Sequence, residues 1–189
     1  MERPKRHGLR NFLIVSGLAA GLGCFSLGYL TWQSTSYGQL LAARSRWAAR
    51  PFAHYRFTIE QELVGAFSSL VTCREVIEVR DEQVLHVASQ TASACQLSLQ
   101  TVSQVFDYIG QTMWERNCGP NGCSCDGPID AIATYDPQSG YPQRISIGLR
   151  HDQRPLYAEF WRRRWFGGHC TMIGYYGSRI KVLSLEPMP

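Results

Sequence analysis

Charged residues are scarce in this chain of 189 residues, since only 18% of its side chains are charged and 44% are hydrophobic. Lysine is nearly absent: 17 of the 19 basic residues are arginine, and only Lys5 and Lys181 are lysine. Internal repeats and low-complexity tracts are also missing. This composition excludes a disordered chain, a collagen and a coiled coil.

The sequence also lacks the motifs of the common enzyme classes. It contains no G-x-S-x-G, H-E-x-x-H, P-loop or G-x-G-x-x-G motif. It has no C-x-x-C for redox exchange and no C-x-x-C-H for haem attachment. We therefore predict no catalytic residue, no cofactor site and no enzymatic activity. Ordinary structural roles account for the residues that could otherwise suggest chemistry, namely His54, His86, Asp126, Asp130 and Asp136.

Excess positive charge is confined to the beginning of the chain. Residues 1–10 contain four basic residues and one acidic residue, whereas residues 34–189 contain 15 basic and 14 acidic residues. A nearly neutral body does not have the electrostatic footprint of a nucleic-acid-binding domain, so we predict no nucleic-acid partner.

Residues 11–33 contain no charged side chain and are long enough to cross a bilayer, which requires ~20 apolar residues in a helix. Tyr29 and Trp32 lie at the far end, where aromatic rings favour the membrane interface. The basic tail 1–10 favours a cytoplasmic N-terminus, although Arg44, Arg46 and Arg50 follow the other end. We predict a single-pass protein of the bacterial inner membrane with a periplasmic or extracellular C-terminal domain.

Two alternatives to this uncleaved transmembrane anchor remain open. A cleaved signal peptide has a shorter apolar core and a small-x-small cleavage site, which is not evident here. A lipoprotein signal ends in a small residue followed by the modified cysteine, and residues 21–24 (Gly-Leu-Gly-Cys) come close to that pattern. However, the apolar run continues for eight residues after Cys24.

Small residues recur along one face of the predicted span, at Gly17, Gly21, Cys24 and Gly28. Small residues permit close approach of membrane helices, which associate there by van der Waals packing. We predict contact with a membrane-protein partner or with a second copy of the chain. The alternative is that glycine is simply common in spans.

Beyond the span, residues 34–50 predict a juxtamembrane helix with a solvated face, ended by Pro51. Residues 51–189 predict an extracytoplasmic domain. Period-two alternation or β-rich composition predicts strands at 54–63, 73–80, 83–89, 129–135, 145–149, 172–176 and 180–185. Asp81-Glu82 predicts a hairpin turn between the second and third of these.

One helix interrupts the strands. Thr101 and Gln104 form a capping-box pattern, and apolar residues at one-face spacing follow to about Trp114. The order β-β-β-α-β-β, with a hairpin-like insertion and C-terminal strands, indicates an α+β fold. Runs of strands without βαβ alternation imply an antiparallel sheet with one packed helix.

Several of these elements resemble a known family. The tyrosine-led strand at 54–57, the helix with Val102, Phe106 and Ile109, and the turn Tyr135-Asp136…Gly140-Tyr141-Pro142 carry the likeness. Together they are similar to an uncharacterised group of small bacterial exported or lipid-anchored proteins, domain of unknown function family 6174. The likeness covers roughly residues 47–150. It implies a fold and export but no chemistry. The long anchor, the cysteines at 118–125 and the insert at 151–178 depart from the pattern.

Six cysteines lie outside the predicted span: Cys73, Cys95, Cys118, Cys123, Cys125 and Cys170. An even number in an exported domain indicates disulfides. We predict Cys73–Cys95, one of Cys123 or Cys125 bonded to Cys118, and the other bonded to Cys170. The alternatives are a reactive thiol, or a metal site formed by the cysteines at 118–125 with His169 or Cys170, although the spacing is irregular for zinc.

The most distinctive surface feature is the run Trp161, Arg162, Arg163, Arg164 and Trp165. Arginine and tryptophan are enriched in binding surfaces, and arginine also binds lipid phosphates, so we predict a partner-binding or lipid-binding patch. The alternative is an amphipathic strand with its tryptophans buried and its arginines solvated.

These features favour a non-catalytic accessory or scaffold subunit of a larger membrane complex, respiratory or photosynthetic. The alternatives are a tethered ligand- or envelope-binding module and a cysteine-based metal or thiol module.

Overall fold

The computed structural model describes residues 35–65, 71–91, 95, 97–170 and 176–189. The chain divides into two units, Met1–Gln39 and Leu40–Pro189, and only residues 35–39 of the first are described. No helix within these ranges is long and apolar enough to cross a bilayer. The predicted tail, span and small-residue face (Gly17, Gly21, Cys24 and Gly28) lie outside the described residues.

The second unit contains an antiparallel sheet of six described strands in the order β3-β2-β1-β6-β5-β4. The strands are β1 (His54–Gly65), β2 (Val71–Arg80), β3 (Gln83–Ser89), β4 (Ile129–Tyr135), β5 (Pro142–Leu149) and β6 (Tyr176–Pro187). The described helices are α1 (Ser36–Ala48), α2 (Val102–Glu115), a 3-10 helix (His151–Leu156) and α3 (Ala158–Phe166). The predicted α+β class and antiparallel sheet are confirmed.

Strand β1 lies in the middle of the sheet and shows the predicted alternation. Tyr55, Phe57 and Ile59 are completely buried, whereas Arg56 points to the other face and is exposed. The predicted hairpin between β2 and β3 is also present: Asp81 and Glu82 both have positive φ, 52° and 61°. A two-residue turn of this kind matches the right-handed twist of its flanking strands.

Helix α2 covers the buried face of the sheet. The Thr101 hydroxyl accepts from the backbone N–H of Gln104, whose side chain accepts from the backbone N–H of Thr101, so the predicted capping box is confirmed. Its buried residues fall on one face and are Val102, Val105, Phe106, Ile109 and Met113. This one-sided burial is what an amphipathic helix on a sheet requires.

Helix α1 contributes to the core of the second unit. Leu40, Ala43 and Trp47 are 4%, 0% and 2% exposed and pack with residues of the sheet and of α2. The helical prediction for this segment agrees with the structure, but the core begins at Leu40, upstream of the predicted domain boundary at residue 51. Only three side chains of α1 are apolar and buried, so the helical periodicity of hydrophobic residues in its sequence is weak.

The C-terminal third differs from the prediction in the segment that precedes β6. The predicted strand 172–176 lies outside the described residues except for its last residue, and the predicted strand 180–185 lies within β6. The segment before it forms helices where a hairpin-like insertion was predicted. The amphipathic-strand alternative for the aromatic and arginine run is therefore wrong. Its aromatic residues occur in adjacent pairs, which do not fit a strand of period two, and arginine is a good helix former.

Candidate functional site

The six cysteines of the second unit form three disulfides, Cys73–Cys95, Cys118–Cys123 and Cys125–Cys170. The predicted framework is confirmed, and the structure decides that Cys123 bonds Cys118. Because all six sulfurs are bonded, none is available here as a thiolate ligand or nucleophile. The described residues contain no cluster of three or more His, Cys, Asp or Glu side chains arranged to hold a metal ion.

The loop from Cys118 to Pro128 forms the base of the candidate site. Cys118 pairs with Pro128 in an isolated β-bridge, and the Asp126 carboxylate accepts from the backbone N–H of Asn121 at 2.7 Å. Gly127 has a φ of +84°, and a side chain there would overlap the carbonyl group of Arg150. Glycine therefore allows the loop to pack directly against the start of the insertion.

The insertion, defined here as residues 150–170, is attached to that loop at two points. The Cys125–Cys170 disulfide joins its end to the loop, and Arg154 donates from Nη1 to the carbonyl oxygen of Cys125 at 3.0 Å. At its start, Arg150 pairs with Asp152 at 2.9 Å. The hydrogen bond from Arg150 holds the pKa of the Asp152 carboxyl below its usual value. Covalent and polar contacts thus position the insertion without a hydrophobic core of its own.

Helix α3 has the charge distribution expected for its direction. Glu159 lies in its first turn, and Arg163 and Arg164 lie in its last turn. Each of these charges is opposite in sign to the partial charge of the helix terminus near it, which is favourable. Gly167, with a φ of +77°, follows the last helical residue, and glycine adopts a positive φ without steric cost.

No residue of α3 is buried, and three of its four aromatic side chains, Trp161, Trp165 and Phe166, are exposed. Trp165 and Phe166 are 72% and 82% exposed. Trp161 and Trp165 are four residues apart and share one helix face, with ring centroids 6.1 Å apart. The indole N–H of Trp161 donates to the carbonyl of Pro155 at 2.8 Å, which orients the ring.

The structure thus brings the five predicted patch residues (Trp161, Arg162, Arg163, Arg164 and Trp165) together on one helix that faces solvent.

A cleft of about 620 Å³ lies beside α3. Its lining combines helix residues, the Gly167–His169 turn and the disulfide loop: Ser124, Glu159, Arg162, Arg163, Phe166, Gly167, Gly168 and His169. Arg163 donates from Nη1 to the carbonyl of His169 at 2.9 Å, which joins the two walls. None of the three arginines of α3 forms an ion pair within the described part of the chain.

The sequence analysis did not predict the cleft, because Ser124 is distant from α3 in sequence and is held near it by the Cys125–Cys170 bridge.

Two of the residues to which the sequence analysis gave only structural roles, His54 and Asp136, do not line the cleft. His54 contacts the Glu78 carboxylate at 2.9 Å. Asp136 accepts from the backbone N–H groups of Gln138 and Ser139 and from the Ser139 hydroxyl. Burial of Asp136 alone raises its pKa, but these hydrogen bonds outweigh burial and the pKa lies below its usual value. Asp136 therefore stabilises the turn between β4 and β5.

Comparison with known proteins adds a family but no activity. No curated protein and no solved structure matches the chain. A family model described as "Family of unknown function (DUF6174)" matches residues 39–153, from helix α1 into the 3-10 helix. Helix α3 lies beyond that match. Because the match covers more than half of the chain, this protein belongs to the family of unknown function DUF6174.

Proposed function

We propose that this protein is a non-catalytic, single-span accessory or scaffold subunit of a larger membrane complex, respiratory or photosynthetic. The observation that carries the proposal is helix α3, which is fixed by a disulfide yet buries none of its residues. Monomeric soluble proteins seldom expose clustered large apolar side chains without a binding purpose. Tryptophan and arginine are also the residues that dominate binding energy at interfaces.

The proposed location is the bacterial inner membrane, with the N-terminus in the cytoplasm and the second unit in the periplasm or outside the cell. The uncharged segment 11–33 and the basic tail support this orientation. The three disulfides agree with it, because disulfides persist in oxidising compartments and are rare in the cytosol.

Contact with the rest of the complex is proposed to occur inside the membrane. Gly17, Gly21, Cys24 and Gly28 would form the packing face toward a partner helix or a second copy. The second unit would then support exposed parts of the complex from outside, and α3 would be the element that docks it at the membrane surface beside them.

Native electrophoresis after solubilisation in a mild detergent tests the proposal. We expect the full chain to migrate with other membrane subunits and to be released by G17L/G21L, which places large side chains on the packing face. The matched control L18I/L22I changes neighbouring span residues without altering their size class. Migration of the native chain alone, as a monomer, would contradict the proposal.

The second candidate function, a tethered ligand-binding module, is favoured by a groove between α2 and the sheet. It has a volume of about 390 Å³, within the range of small-molecule sites, and Leu63, Tyr108 and Ile147 are among its apolar lining residues. Ser178 also lines it, and its hydroxyl is buried without a hydrogen-bond partner among the described residues.

Native mass spectrometry before and after delipidation tests this candidate. A bound mass that I147W removes would support it, because the larger side chain fills the groove. An unchanged mass after delipidation would count against it.

A further inference from the structure

We propose that the cleft beside α3 binds the phosphate of an anionic phospholipid headgroup, with Trp161, Trp165 and Phe166 in the interfacial layer of the bilayer. This inference rests on the proposed function in one respect, because it requires the domain to be tethered to a membrane. It goes further by naming the chemistry that the docking element contacts.

The first support is the charge of the cleft. Two arginines, Arg162 and Arg163, line it together with one acidic residue, Glu159. Guanidinium groups bind phosphate through paired hydrogen bonds and are less strongly hydrated than ammonium groups. Neither arginine is neutralised by an ion pair within the described ranges. The cleft therefore has an excess of positive charge and favours an anion.

The second support is the exposed apolar surface of the same helix. Phe166 lines the cleft and is 82% exposed, and Trp161 and Trp165, which do not line the cleft, share another exposed face of α3. Tryptophan is enriched at membrane interfaces, where one edge of its ring meets apolar chains and the N–H meets polar groups. A free phosphate ion has no apolar part for these rings to contact. A phospholipid has both a phosphate for the arginines and acyl chains for the rings.

The third support is the position of the insertion within the second unit. Leu40, the first residue of that unit, would contact a side chain at Gly110, in the C-terminal half of α2. Helix α2 leads from there to the Cys118–Pro128 loop that holds the insertion. The start of the unit and the insertion therefore lie toward the same end of α2.

The insertion is also preorganised. The Cys125–Cys170 bridge and the Arg154 and Arg163 hydrogen bonds fix α3 and the Gly167–His169 turn before any ligand arrives. Preorganisation lowers the entropic cost of binding.

The test uses the full chain in nanodiscs made of phosphatidylcholine alone or mixed with phosphatidylglycerol. Lipids brominated in the acyl chain quench nearby tryptophan fluorescence, and Trp32 reports separately on the predicted span. We expect stronger quenching in the anionic discs and loss of that increase in W161F/W165F. The matched control W114F, which removes another exposed tryptophan, is expected to retain the increase.

Charge is tested with R162Q/R163Q, which we expect to lower the ratio of docked to undocked domain about tenfold or more, because each arginine near an anionic surface favours docking. The control R80Q/R144Q removes the same charge from exposed positions on the sheet and is expected to have little effect. Intact disulfides and an unchanged circular dichroism spectrum show that each variant is folded.

Three outcomes overturn the inference. Equal quenching in both kinds of disc, with Trp32 still quenched, refutes headgroup binding while leaving the tether of the proposed function intact. Protection of α3 from hydrogen exchange by inorganic phosphate alone, in neutral discs, assigns the cleft to a soluble phosphate. Protection in neutral discs only by a co-purified subunit assigns the surface to a protein partner.

Discussion

The backbone of Gly140 lies directly against the carbonyl group of Ala43. A side chain at residue 140 would overlap that carbonyl and would approach Cβ of Arg46 to 2.9 Å, and the φ of Gly140 is +84°. Gly140 belongs to the Tyr-Asp…Gly-Tyr-Pro turn that carried the family resemblance. The turn therefore has a structural role: it lets helix α1 approach the β4–β5 connection closely.

Replacement of Gly140 by alanine is predicted to destabilise the fold by about 2 kcal/mol or more. The left-handed conformation alone costs about 1–2 kcal/mol for a residue with a side chain, and the overlap with Ala43 adds to it. Urea unfolding under non-reducing conditions measures the change. Gly122→Ala is the matched control, because Gly122 has a φ of +79° and no atom within 4 Å of the added carbon. Equal losses in the two variants would show that the contact with α1 contributes nothing.

The three disulfides are predicted to stabilise the fold in the order of the loops they close. Their sequence separations are 45 for Cys125–Cys170, 22 for Cys73–Cys95 and 5 for Cys118–Cys123. The chain-entropy relation gives roughly 4, 3 and 2 kcal/mol respectively. Thermal unfolding of the three paired Cys→Ala variants checks the order. A larger loss for Cys118–Cys123 than for Cys125–Cys170 would mean that loop closure does not govern their contribution.

Alkaline pH is predicted to destabilise the fold through two buried tyrosines. Burial and the nearby Glu82 carboxylate raise the pKa of Tyr55 to about 12, and burial raises the pKa of Tyr135 to about 12. The folded state therefore favours the neutral phenol, so this stability is present below pH 10 and is lost as pH rises toward 12. Urea unfolding across that window measures the slope.

Y55F is expected to reduce the slope and Y55F/Y135F to reduce it further. Y55F also removes the acceptor of the buried N–H of Val102, so it should lower stability at neutral pH. A slope that is identical in native and double-variant protein would exclude these phenols as its source.

Asp136→Asn is predicted to cost about 1–2 kcal/mol at neutral pH, because hydrogen bonds to a charged acceptor are stronger than those to a neutral one. The pKa of Asp136 lies below its usual value in the folded state. The stabilisation by the charged carboxylate is therefore complete when the pH is above the usual pKa, and it is lost as the pH falls through the lower pKa of the folded state. Chemical unfolding at neutral and acidic pH measures both effects.

Asp107→Asn is the control for that substitution. The Asp107 carboxylate pairs with Arg44 at 2.8 Å but is 62% exposed, so its loss should change stability by less than about 1 kcal/mol. If the two variants are equally stable at neutral pH, the hydrogen bonds to Asp136 do not strengthen the turn.

Local sequence patterns were sufficient for much of the fold. The alternation around Phe57, the hairpin turn at Asp81-Glu82 and the Thr101–Gln104 capping box each depend on residues close in sequence, and each is found in the structure. The disulfide framework was also predictable, because six cysteines lie outside the uncharged segment 11–33 and an even number favours pairing.

The sequence by itself therefore determined the α+β class, the order of most elements and the cysteines that form disulfides. Only the tertiary structure decided that Cys123 bonds Cys118, that α1 contributes to the core, and that the Trp161–Trp165 run is a helix facing solvent. The physical reason is that these outcomes depend on contacts between distant parts of the chain. Arg163 and His169 line one cleft with Ser124 only because the disulfide between Cys125 and Cys170 holds the insertion against the loop.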